Sequence, residues 1–99
     1  LRLLAHCTSP VSPLNVTGPD VVAVRHLAEE FGRRLGKAAQ ITGAEADTAW
    51  LIDTRRAQSL FGPPRVPLGK MIDWVADWVA RDMPSLGKET HFSTRDGKY

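Results

Sequence analysis

Cysteine is almost missing from this chain. Cys7 is the single one in 99 residues, so no internal disulfide can form, and the cross-linked frameworks of small secreted domains are excluded. A reducing, cytoplasmic setting is the compartment this predicts, with Cys7 serving as a small buried hydrophobe at the end of an apolar helix. No apolar run approaches the roughly 18 residues of a membrane span, and the opening LRLLAHCT is too short for a signal peptide. Charge of one sign is not in excess either: 13 basic and 11 acidic residues leave a net charge of +2. The cations are scattered, doubled only at Arg33-Arg34 and Arg55-Arg56, which describes a solvated surface and gives no reason to expect nucleic acid. Neither GxGxxG nor GxxxxGK[ST] occurs, so the phosphate-cradling loops of nucleotide sites are missing. The three histidines, His6, His26 and His91, are not spaced to share a helix face, and Cys7 has no second thiol, so no metal site is expected.

What is present is a hydrophobic fraction of 42%, enough for a modest core in one domain at most. The sequence starts at Leu1 rather than Met, as expected either of a piece of something longer or of a processed form. Leu1, Leu4 and Ala5 lie on one face of a helix ending near Cys7, and Ser9-Pro10-Val11-Ser12-Pro13 breaks it, because each proline lacks a donor and forces its predecessor into an extended conformation. Residues 14–17, LNVT, then form a strand candidate closed by Gly18-Pro19. Val24, Leu27, Ala28, Phe31 and Leu35 fall on one stripe of a helix over 24–35. Its outer face offers Glu29 to Arg33 and Glu30 to Arg34 at i, i+4, and Gly36 is placed as its C-terminal cap. Its start is open between Asp20, the better cap by chemistry, and a beginning near Val24. Residues 40–42 and 50–52 are brief extended candidates. Asp53 or Thr54 then caps a helix over 55–61, Gly62-Pro63-Pro64 ends it, and Pro67 suits the first turn of a last helix. That helix carries Leu68, Met71, Ile72, Val75 and Val79 on its stripe. Residues 91–95 are a terminal extended candidate, with Asp96-Gly97 as a turn.

No constellation amounts to a catalytic site. Asp73 and Asp77 resemble a carboxylate pair, but Arg81 continues the row at i+4 and makes it a solvated face. Leu27-Ala28-Glu29-Glu30-Phe31-Gly32 resembles the first helix and turn of a helix-turn-helix module, which gives a small DNA-binding module as one alternative. Trp74 and Trp78, one turn apart, widen the apolar stripe of the last helix beyond what few neighbours can cover. A second domain or subunit is the natural cover, so both tryptophans are interface candidates and a dimerising interaction domain is a further alternative.

Three runs carry a family resemblance: LNVTGPDVVAVRHLAEEFGRRLGK, then LIDTRRAQSLFGPPRVPLGKMIDWVADWV, then HFSTRDGKY. Together they resemble the C-terminal third of an extended short-chain dehydrogenase/reductase of the NAD-dependent epimerase/dehydratase group, over nearly the whole chain. The resemblance implies an α/β fold, the C-terminal part of a Rossmann-type enzyme, mainly helices with a few short strands. Residues 1–18 would end the dinucleotide-binding part, with 14–17 as the sheet edge, and residues 19–99 would form the substrate-side cap. It implies NAD or NADP bound mainly by residues outside this chain, with a small-molecule substrate. The partner it implies is the N-terminal Rossmann part of the same protein, with a second copy of the chain as a further candidate. The family's glycine fingerprint and Tyr-x-x-x-Lys pair are not here, where the only tyrosine is Tyr99, so the chain by itself would be catalytically silent. Nucleotide-sugar epimerases commonly carry an Arg and an Asp before the Asp-led helix; here the segment is Gly43-Ala44-Glu45-Ala46-Asp47. Glu45 would repel a diphosphate, which favours a smaller or neutral substrate. Glu45 and Asp47 are the cleft-facing candidates by position, with a surface loop as the alternative.

Overall fold

Helix-forming order in this chain is local, and helices are all that form among the described residues. The structure, a computed structural model, describes residues 2–88. Its elements are a 3₁₀ turn at Arg2–His6 and three α-helices, α1 (Val24–Leu35), α2 (Arg55–Phe61) and α3 (Leu68–Ala80). Among the described residues there is no strand, which corrects the α/β fold expected from the resemblance. The strand candidates at 14–17, 40–42 and 50–52 remain irregular. The physical reason is that a strand is held by a ladder to a neighbour, and none of these segments pairs with another. The candidate at 91–95, with its turn, lies outside the described residues.

The helix bounds follow their signals. Gly36 closes α1 in the left-handed region, φ 66°, its N–H donating to the Gly32 carbonyl. Ala23 precedes the first turn, so the start falls at Val24 and Asp20 does not cap it. At the start of α2 Asp53 Oδ1 accepts the Arg55 N–H at 3.0 Å, while Thr54, at the N-cap position, makes no capping bond and its Oγ1 accepts from the Gln58 side chain at 2.8 Å. Gly62 ends α2 and Pro67 immediately precedes α3. The first segment is shorter than expected: five residues in 3₁₀ form, with Leu4 69% exposed and Cys7 exposed as well. The prolines that follow cannot continue it, and the exposure of Cys7 corrects the expectation that it is buried.

α1 packs on α3, and this is the main helix contact. α1 offers Leu27, Ala28, Phe31 and Leu35, all half-buried. α3 answers with Ile72 and Ala76, each 5% exposed; the small Ala76 one turn beyond Ile72 lets the backbones approach. The face α3 turns to α1 is thus narrower than its apolar stripe, and Met71, Val75 and Val79 stay exposed. A polar clamp runs beside the contact. Arg34, 18% exposed, donates from Nε to Asp73 Oδ1 of α3 at 2.7 Å and from its other nitrogen to Glu30, which also takes Arg33 at 2.7 Å. Of the two pairs expected on α1, Glu30–Arg34 forms, and Arg33 turns to Glu30.

Gly32 has a use that helix propensity does not reveal. The backbone of residues 37–39 crosses over it, with the Lys37 N–H donating to the Gly32 carbonyl at 2.9 Å. A Cβ at Gly32 would meet the Lys37 carbonyl oxygen at 2.5 Å and the Ala39 nitrogen at 3.2 Å. Thr54 and Ala57 are the remaining buried positions among the described residues. With so little interior the chain is elongated, 49 × 31 × 25 Å, and its radius of gyration of 16.9 Å exceeds the value of about 13 Å for a compact domain of this size.

Candidate functional site

The concave part of the molecule is made where segment 12–20 lies along α2. Arg56 fixes this approach: its Nη1 donates to Ser12 Oγ at 2.8 Å and to the Pro13 carbonyl at 3.2 Å. Asn15 Nδ2 donates to the Asp53 carbonyl at 3.2 Å, 38 positions away in sequence. These bonds satisfy polar groups that the prolines and the irregular backbone leave without ladder partners. They also lay Val16, Thr17, Gly18 and Pro19 opposite Ala57, Gln58 and Phe61. Arg2 closes a third side. Its guanidinium carbon stands 5.4 Å from the Phe61 ring centroid, its Nη1 reaches the Phe61 carbonyl at 3.5 Å, and His6 meets the same ring edge-on at 5.3 Å. The Gly62-Pro63-Pro64 break then swings the chain outward, and Leu68 and Met71 of α3 complete the wall.

The half-open cavity is about 650 Å³, within the roughly 300 to 1,000 Å³ typical of small-molecule sites. Its wall is mostly apolar. The charged groups on it are Arg2, Arg65 and Asp20, and Thr17 and Gln58 add polar side chains. Among the described residues no histidine, cysteine, serine, lysine or tyrosine lines it. The arrangement can therefore bind and orient, while it offers no nucleophile paired with a base. No group of His, Cys, Asp or Glu that could hold a metal occurs among the described residues.

Asp53 stands just behind this wall and fixes the start of α2. The Arg55 guanidinium, at 2.6 Å, and then the Arg55 backbone N–H lower its carboxyl to about 2. Glu30 is likewise lowered to about 2, first by Arg33 and then by Arg34. Both are structural anchors outside the cavity.

The residues singled out in the sequence lie elsewhere. Glu45 pairs with Arg25 at 2.7 Å on an exposed loop, Asp47 is exposed, and neither lines the cavity. Asp77 pairs with Arg81 at 2.9 Å, as the solvated-row reading has it, but Asp73 leaves that row for Arg34. Trp74 and Trp78 are 54% and 44% exposed on α3. Lys70 Nζ lies 5.9 Å from the Trp74 ring centroid, and the Trp78 indole N–H donates to the Pro84 carbonyl at 3.1 Å. α1 runs unbroken through Gly32, and the next helix begins at Arg55, so the helix-turn-helix pattern is not followed by a recognition helix. Sequence reading missed Arg2, Asp20, Gln58 and Arg65 as wall residues. Its available signal was the pair of turns, Gly18-Pro19 and Gly62-Pro63-Pro64, which work as wall segments as well as breaks. No helix among the described residues is long and apolar enough to cross a membrane. Comparison with protein-family models, with curated proteins and with solved structures finds no match to this chain.

Proposed function

We propose that this chain is the C-terminal, substrate-binding portion of an NAD(P)-dependent oxidoreductase, epimerase or dehydratase, and that it is catalytically silent by itself. One observation carries the reading. Residues 16–18 of LNVTG and residues 61–66 with Leu68 of LFGPPRVPLGK, parts of two runs on which the family resemblance rests, are distant in sequence and wall the same cavity. The reading concerns what this cavity holds; the sheet expected from the resemblance is replaced by helices and loops. A wall that orients but has no base or nucleophile pair fits a division of labour in which the dinucleotide and the proton-transfer groups belong to another part of the protein.

The bare side of α3 has a place in this scheme. Trp74, Val75, Trp78 and Val79 form an exposed apolar patch, which is costly in water and is read as the seat of the N-terminal, nucleotide-binding part. The setting is the reducing cytoplasm, in keeping with a lone, exposed thiol that has no partner for a disulfide. The test is a titration with NADH and NADPH, followed by dinucleotide fluorescence, on the protein carrying its N-terminal part and on this chain alone. Binding by the longer protein and none by the chain alone is expected. No binding by either, or binding by the chain alone, would sink the reading.

A further inference from the structure

We propose that the cavity between segment 16–20 and the end of α2 takes a small monocarboxylic acid with an apolar body, its carboxylate held by Arg65. This rests on the reading that the cavity is a small-molecule site. Among the described residues the wall carries two guanidiniums, Arg2 and Arg65, and one carboxylate, Asp20, which together leave a single net positive charge. A ligand with one negative charge neutralises it. A phosphate monoester, with nearly two charges, would leave the wall over-compensated beside Asp20, and an amine would meet a net repulsion.

The two arginines are not equivalent. Arg2 is committed to Phe61, facing its ring and donating to its carbonyl. Arg65, an exposed residue of the cavity wall, makes no hydrogen bond or ion pair among the described residues, so its donor fork is free. That fork matches a carboxylate with two parallel N–H···O bonds, a geometry that an ammonium group cannot supply. Behind it the wall is apolar: Val16, Val22, Phe61, Val66, Leu68 and Met71. A ligand that places a charged head at Arg65 and an alkyl or aryl body against these side chains satisfies both halves of the site.

Calorimetric titration of the protein with four probes of one chain length, octanoate, octanol, octylamine and octyl phosphate, tests this. Octanoate is expected to bind most tightly, and Arg65→Gln to weaken it about tenfold while leaving octanol unchanged, as loss of a charge-assisted pair requires. Arg81→Gln, remote from the cavity, is expected to change neither. Equal binding of octanoate and octanol, tighter binding of octyl phosphate, or indifference of octanoate to Arg65→Gln would each overturn the proposal while leaving the cavity a small-molecule site. Binding of none of the four would remove both.

Discussion

Replacing Ile72 by Ala should cost this molecule a large share of its stability. Ile72 is 5% exposed and, with Ala76, forms the side of α3 that meets α1. The substitution removes three carbons from water-free surroundings, about 2.4 kcal/mol at roughly 0.8 kcal/mol for each buried methylene. A cavity contribution adds to this in a dense interior, but few residues surround the site completely here and the neighbours can close in, so a total of about 2 to 3 kcal/mol is expected. For a domain of this length that lowers the melting temperature by roughly 10 to 20 °C. Val75→Ala is the internal control. Val75 lies on the same helix, its substitution removes two carbons, and it is 49% exposed, so its cost should stay below about 1 kcal/mol. Urea unfolding followed by far-ultraviolet circular dichroism measures both, with unchanged slopes showing that the unfolded states are comparable. Equal costs for the two variants, or a greater cost for Val75→Ala, would refute the assignment of the 72/76 face as the buried one.

Glycine substitutions should separate local propensity from tertiary contact. Gly69→Ala, with open space around it in the first turn of α3, should stabilise by up to about 1 kcal/mol, whereas Gly32→Ala should destabilise by about 1 to 3 kcal/mol because its Cβ meets the Lys37 carbonyl; thermal melts of both decide the signs. Acid should loosen the α1–α3 clamp. Glu30 is lowered from an ordinary 4.5 to about 2, so its contribution is complete above pH 4.5 and is lost as the pH falls towards about 2. A falling unfolding midpoint across that window, flattened in part by Glu30→Gln and by added salt, is the expected record; identical acid curves for wild type and Glu30→Gln would contradict it. Trp74 and Trp78 should be open to acrylamide in this chain and shielded in the protein carrying its N-terminal part, as compared between Trp74→Phe and wild type; equal quenching in both contexts would count against the α3 face as a seat.

The helices were legible in the sequence because their causes are close at hand. The stripe from Val24 to Leu35, the left-handed Gly36, the Asp53 oxygen before Arg55 and the Gly62-Pro63-Pro64 stop each act within a turn or two, and α1, α2 and α3 stand where those signals put them. Strands at 14–17, 40–42 and 50–52 were not legible in the same way, since β-branched composition signals only a readiness to pair, and the pairing partner is a non-local matter. Glu45 and Asp47 were chosen by position in a family pattern, but the Arg25–Glu45 pair keeps that loop away from the cavity wall.

By itself, then, the sequence determined the course of α1, α2 and α3 and where each of them stops, and that no internal disulfide can form. Only the tertiary structure decided which face of α3 is covered, why Gly32 must lack a side chain, and that Arg2, Asp20 and Arg65 share one cavity. The physical reason is distance along the chain. Capping and periodicity are settled between neighbours, while the cavity depends on Arg56 reaching Ser12 and Asn15 reaching Asp53 across about forty residues, contacts that no short window of sequence contains.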